Sequence, residues 1–353
     1  MIVGIIIGFY FFNFKVSFGD ISKKTDSASI FFSLGNTFAS GEEKESGKTK
    51  NVIIDAVRPQ IETSSNNREI SFAFVGDIML DRNVLNSVYK NGNGDFSFLF
   101  ENIDFLAGSD ITFGNLEGPV SDKGEDLGNL YSFRMDPFIM LSLKKAGFDA
   151  LSIANNHIAD WGEEAFQDTI ERLNQNGIVP TGGGFNKEDA ENVKIIERKG
   201  FKVGFLGFSD VGPKWFDAKS DKPGILLADV GLVKELVKKA KERVDYVVVS
   251  FHFGNEYETI ASQRQEELAK SAIDAGANIV VGHHPHVVQK IEIYNGGLIA
   301  YSLGNFIFDQ NFSKETMEGA FLSVIFNGQN IVSIYKKKVK LNEFFQVYLE
   351  DGE

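Results

Sequence analysis

"VVGHHPHVVQK" (280–290) sets three histidines within four positions behind a short run of small and β-branched residues. The chain of 353 residues holds only five histidines. His157, in "SIANNHIADWG" (152–162), and His252, in "SFHFGNEY" (250–257), also follow apolar runs. Short continuous apolar runs bounded by turn residues read as strands buried on both faces. All five imidazoles are therefore expected at strand ends.

Working outward, the same pattern recurs from about residue 69. "ISFAFVG" (70–76), "DITFGNLE" (110–117), "DALSIANN" (149–156), "KVGFLGFS" (202–209), "VDYVVVSF" (244–251) and "ANIVVG" (277–282) read as strands. Helical spacing predicts helices over "PFIMLSLKKAG" (137–147), Trp161–Asn176, Leu232–Arg243 and Gln263–Ala275. "IEIYNGGLIAYSLG" (291–304) carries a hairpin turn at "NGG". "FLSVIF" and "IVSIYKKKVKL" alternate as antiparallel strands. Alternating strands and helices imply an α/β domain with parallel strands, to which the hairpins add antiparallel ones. The predicted organisation is a domain over 69–312, completed by C-terminal antiparallel strands over 313–353.

The first 68 residues read differently. "MIVGIIIGFYFFNF" carries no charge before Lys15, yet a spanning helix needs about 20 apolar residues. Segment 1–18 is expected to be a membrane anchor or signal segment, although Lys15, Lys23 and Lys24 lie on the side that the positive-inside rule keeps in the cytoplasm. Residues 19–68, with "ASGEEKESGKTK" and "ETSSNNRE", have the composition of a flexible polar linker.

Bulk composition narrows the function. Net charge is −13, from 36 basic and 49 acidic side chains, which argues against a nucleic-acid partner. The chain has no cysteine, so thiolate metal sites and thiol nucleophiles are excluded. An anionic substrate would need bound cations to supply the local attraction.

Ligand sites of α/β sheets gather beyond the carboxyl ends of the strands. Those ends deliver Asp77, Glu117, the pair Asn155 and Asn156 with His157, His252 followed by Glu256, and His283, His284 and His286. Taken singly, Asp77 reads as a turn cap, Glu117 as a solvated acid, and one histidine as a satisfied core residue. Together they form a set of carboxylates, amides and imidazoles that suits Mn, Fe, Zn or a similar divalent ion. Buried polar groups in such number need partners.

The ordered motifs "FVGDIML", "GNLEGPVS", "SIANNHIADWG", "SFHFGNEY", "GHHPHVVQ" and "YSLGNFIFD" resemble the CapA family of bacterial capsule synthesis proteins, which is tied to poly-γ-glutamate and is similar to calcineurin-like metallophosphoesterases. The resemblance implies a four-layer α/β/β/α sandwich with mixed sheets and one or two divalent ions. It makes Asp77, Glu117, Asn156, His252, His284 and His286 the metal ligands, with Asn155, His283 and Glu256 in support. His157 would face a leaving group, oriented by Asp160. Two positions depart from the phosphoesterase pattern: Met79 stands where a ligand histidine is expected, and Ile158 where an acid follows the histidine.

The resemblance further implies a capsule synthesis or export protein with a phosphoesterase-like hydrolase site acting on an anionic polymer or phosphoester. The alternative is a non-catalytic, membrane-anchored polymer-binding subunit. Either would associate with the membrane through its N-terminus and with polymer synthesis or export subunits, its domain extracytoplasmic, or secreted if the N-terminal segment is cleaved. Asn305 and Asp309 are expected as rim contacts, and Trp161 and Trp215 as core.

Overall fold

The computed structural model describes residues 68–350. The expected anchor or signal segment 1–18 and the linker up to residue 67 lie outside them. The elements in chain order are β1 Glu69–Ile78, α1 Arg82–Asn91, β2 Ile111–Leu116, α2 Ile139–Lys145, β3 Ala150–Ser152, α3 Gly162–Gln175 and β4 Val179–Thr181. The short β5 Gly183–Gly184 and α4 Lys187–Glu191 lead to β6 Lys194–Arg198, β7 Phe201–Ser209, β8 Gly224–Ile225, α5 Val230–Lys241 and β9 Tyr246–His252. Then come α6 Gln263–Asp274, β10 Ile279–His283, β11 Ile291–Tyr294, β12 Gly297–Ala300 and β13 Asn305–Ile307. The last strands are β14 Glu318–Asn327, β15 Asn330–Leu341 and β16 Val347–Leu349.

One sheet runs β16-β15-β14-β1-β2-β3-β4, with β13 also on β1; a second runs β11-β12-β10-β9-β7-β6. Strands β1 to β4 are parallel, and so are β7, β9, β10 and β12, with antiparallel strands completing both sheets. Both sheets are mixed. The alternation of side chains along a strand builds the layers. In β1, Phe72 and Phe74 face the second sheet while Ala73 and Val75 face helices. In β9, Tyr246 and Val248 face the first sheet while Val247, Val249 and Phe251 face α5 and α6. Phe113 and Phe205 stack across the inter-sheet core with ring centres 5.5 Å apart. The result is a four-layer α/β/β/α sandwich.

Local rules explain where the elements start and stop. The Asp229 carboxylate caps Leu232 N–H, so α5 begins at Val230 rather than at the expected Leu232. Ser262 and Gln265 form a reciprocal capping box at α6. Helix α3 gives way at Gly177, whose φ of +66° suits glycine. The turn Asn295–Gly296 has positive φ at both residues and joins β11 to β12. Strand β3 is shorter than expected, because residues beyond Ser152 leave the sheet to enter the site. Among the described residues no helix is long and apolar enough to cross a membrane.

Candidate metal centre

The carboxyl ends of β1, β2, β3, β9 and β10 converge at one edge of the two sheets. Gly76 precedes the first acid because the Gly304 carbonyl crosses there; a Cβ on Gly76 would lie 1.8 Å from that oxygen. The close approach lets Asp77 N–H donate to Gly304 (2.9 Å). Asp77 itself is wholly buried. Its Oδ2 accepts from His284 N–H (3.2 Å), and its carboxylate lies 3.3 Å from His283 Nδ1 and 3.2 Å from His286 Nδ1.

Asn115 ties the inner ligands together. Its Nδ2 donates to Asp77 (2.9 Å) and to Glu117 (3.2 Å) and stands 3.4 Å from His252 Nδ1. Its Oδ1 accepts from Asn155 Nδ2 (3.2 Å), which also donates to the Leu116 carbonyl (2.8 Å). Asn155 thus supports the frame. Asn115 was missed in the sequence, although it lies two residues before Glu117 and so shares its face of the strand.

Two ligand groups result. Asp77, Glu117 and His252 offer atoms within 4.8 Å of one another, and so do Glu256, His284 and His286. The groups adjoin: the His252 and His284 ring centres are 4.8 Å apart, and His286 Nε2 is 3.5 Å from Glu117 Oε1. The Asn156 amide oxygen borders the first group, its Oδ1 2.7 Å from His252 Nε2. Glu256, expected only in support, is placed among possible ligands by the turn at Tyr257, whose N–H donates to Pro285 (2.8 Å).

The donor set fits a cation. Glu117 Oε1, His284 Nδ1 and both ring nitrogens of His283 are buried without a hydrogen-bond partner, an arrangement that costs free energy unless something else engages them. Burial, with the charge of neighbouring His286, brings His284 down to about 3, and burial keeps His252 well below the usual imidazole range. Both rings are therefore neutral, the form that binds metals. Burial would raise Asp77, but the neighbouring His283 and His286 rings hold it well below the usual carboxylate range. Burial, with Asp77 nearby, pushes Glu117 well up. Burial opposes charge on His286, yet Glu117 and Asp77 together raise it to about 9. The two buried carboxylates call for positive charge between them.

At the border of the site His157 Nδ1 meets Asp160 Oδ2 at 2.8 Å. Asp160 also accepts from Phe133 N–H (2.9 Å) and Asn129 Nδ2 (2.8 Å), which fixes the carboxylate. The Phe133 ring lies 4.1 Å from the His157 ring. Met79 packs with Phe133 and Phe308 in a small buried apolar cluster. The position where a ligand histidine was expected is filled with hydrocarbon and sulfur.

Several expectations are corrected. Asn305 is no rim contact: it is buried, and its Oδ1 lies 3.0 Å from His286 Nδ1. Asp309 is buried too and pairs with Arg82. Trp215 is 59% exposed rather than in the core, and Trp161 is half-buried under the guanidinium of Arg134.

The family model described as "Bacterial capsule synthesis protein PGA_cap" matches residues 71–310. The PGA biosynthesis protein CapA of Bacillus subtilis is 38% identical over 73% of this chain and 68% of its own length. The capsule biosynthesis protein CapA of Bacillus anthracis is 38% identical over 70% of this chain and 62% of its own length. The chain thus spans about two thirds of the length of these relatives. A hypothetical protein from Thermus thermophilus has a similar fold, with TM-score 0.50 and 19% identity over 80% of this chain and 100% of that one.

Proposed function

The chain belongs to the bacterial capsule synthesis protein family, and from that premise we propose that it serves poly-γ-glutamate capsule synthesis or export through a metal-dependent, phosphoesterase-like hydrolase site. The observation that carries this reading is the pair of adjoining three-ligand groups, with the His157–Asp160 pair at their border. Asp77, Glu117 and His252 would hold one divalent ion and Glu256, His284 and His286 a second, with Asn156 beside His252. Such ions supply Lewis acidity toward an ester or amide oxygen.

The remaining chemistry belongs to the chain. Asp160 would accept a hydrogen bond from His157 Nδ1–H and steady the imidazolium, leaving Nε2–H to give its proton to the departing oxygen. Asn115 and Asn155 fix the carboxylates before substrate arrives, so that little reorganisation is needed. The buried Asp77 and Glu117 are shielded from solvent, where electrostatic attraction is strongest.

Membrane association through the N-terminus, an extracytoplasmic domain and polymer synthesis or export subunits as partners belong to the same proposal. A second reading, a non-catalytic polymer-binding subunit, is favoured by Met79, whose place in an apolar cluster leaves the phosphoesterase ligand set incomplete. The discriminating measurement is metal content and metal-dependent turnover of purified protein beside Glu117→Gln and His284→Ala. Bound metal with turnover lost in both variants supports the hydrolase. Turnover retained in both ends it, and bound metal without turnover on any phosphoester or polymer fragment favours the second reading.

A further inference from the structure

Next to the residues that hold His157 stand two that the metal centre does not use. Phe133, whose ring touches His157, is followed by Arg134; Asp160, whose carboxylate engages His157, is followed by Trp161. Arg134 and Trp161 meet, with the guanidinium carbon 3.6 Å from the centre of the Trp161 ring. The backbone on the arginine side is fixed as well, since Arg134 N–H donates to the Asp81 carboxylate (2.8 Å).

Among the described residues the Arg134 guanidinium forms no ion pair; the arginines that do are Arg82, Arg172, Arg198 and Arg264. Asp126 is held low by bonds from Gly128 N–H and Ser132, with only a lesser contribution from Arg134. Trp161 adds an orphan of its own, for its Nε1 is buried without a partner. A guanidinium stacked on an indole keeps its planar edge free for a forked pair of bonds to an oxyanion, and stacking restricts the rotamers it would otherwise lose on binding. In a chain of net charge −13, an unpaired and immobilised arginine is a local reversal of the field.

We propose that Arg134, stacked on Trp161, is an anion subsite beside the metal centre that takes a carboxylate or phosphate group of the substrate flanking the bond at His157. The subsite rests on the reading that substrate lies against His157, but it does not require a metal ion. It would also give the site a direction: the charged neighbour of the reacting group lies on the side of the loop that carries Arg134.

The chain contains its own reporter. It has only two tryptophans, and Trp215 is largely exposed, so Trp215→Phe leaves Trp161 as the single indole. Emission of that variant in EDTA is titrated with inorganic phosphate and, separately, with glutarate. A saturable change with either probe is expected; phosphate alone identifies a phosphate subsite, and glutarate alone a carboxylate one. Adding Arg134→Gln should weaken half-saturation roughly tenfold or more, and Arg134→Lys should recover only part of it, with thermal melts confirming that both variants fold. Adding Glu117→Gln, which strikes the metal centre, should leave the titration unchanged. No response with either probe, or an equal response in Arg134→Gln, overturns the proposal whatever the metal content proves to be.

Discussion

The two ligand groups look alike as residue types and differ in how the chain holds them. Asp77, Glu117 and His252 are fully buried, sit at or just beyond strand ends, and are tied together by Asn115. Strand ends place them, with Asp77 paired to Asn115 in one sheet and His252 to His283 in the other, and the Asn115 side chain bridges the two sheets. Glu256, His284 and His286 lie beyond the strands; His284 and His286 have φ of +96° and +57°, and Glu256 is exposed. Backbone in that region is costly for residues other than glycine and persists where surrounding structure imposes it. The inner group is thus part of the sheet and the outer group part of a strained loop, so the inner position should keep its ion when the outer releases one.

The largest effect is expected where the groups share a residue. Asp77 belongs to the inner group and also touches His286 and the His284 backbone. Asp77→Asn leaves a buried, raised-pKa imidazole without its partner, a change that costs about 3–5 kcal/mol when a buried pair is broken. Urea unfolding in EDTA should show that loss, and metal content after dialysis should fall at both positions. Two ions retained in the variant would mean that the groups are independent.

The pH dependence of metal-free stability separates the groups next. With His284 at about 3 and His252 also lowered by burial, the unfolded chain takes up more protons than the folded one once pH drops below about 6.5, and stability falls on that side. His286 has the opposite sign. Its raised value of about 9 gives stability that is complete below about 6.5 and is lost as pH rises through 9, about 3 kcal/mol in all. Glu117, pushed up by burial, has the same sign, and its contribution declines as pH rises above about 4.5. His286→Gln should flatten the alkaline limb and leave the acid limb; an unchanged alkaline limb would assign it elsewhere.

That contrast also marks how much could be read in the sequence. The inner group comes from a rule of strands: apolar runs predict the strands, and the residues just past the end of each run predict the ligands. Asp77, Glu117, His252 and the histidine cluster were legible for that reason, as were the sandwich and its helices. The outer group depends on a turn. Nothing in "FGNEY" announces that Glu256 returns to the histidines, because the return is made by a backbone bond from Tyr257 to Pro285, far away in sequence. Asn305 was hidden likewise, since its burial beside His286 comes from β13 pairing with β1. Asn115 was within reach, by the period of two that links it to Glu117.

Glu256→Gln tests the loop-held position with a smaller expected change. The side chain is exposed, so folding should be barely altered. Loss of one carboxylate from a three-residue group should weaken the outer ion by roughly 10- to 100-fold, the scale seen when a supporting carboxylate is removed from a metal site. Calorimetric titration should then show one tight and one weakened site. Equal weakening of both would erase the distinction between sheet-held and loop-held ligands.

Met79 offers the smallest and sharpest change. It lies on β1's exit from the sheet, two residues beyond Asp77, and its side chain is wholly buried against Phe133 and Phe308. Its sulfur also accepts from Asp81 N–H at 3.2 Å, a weak bond at the turn into α1. If the position serves only packing, Met79→Leu conserves volume and should cost less than about 1.5 kcal/mol, with the affinities of both groups unchanged. Met79→His puts a polar ring among apolar neighbours, which should cost about 1–3 kcal/mol in EDTA. Should that ring reach the inner group, added Mn or Zn would restore the loss, and unfolding with and without metal measures the difference directly. Recovery would make the inner group one residue short of the phosphoesterase arrangement; no recovery would make Met79 a wall that holds Phe133 against His157, and so a part of the site by shape rather than by ligation.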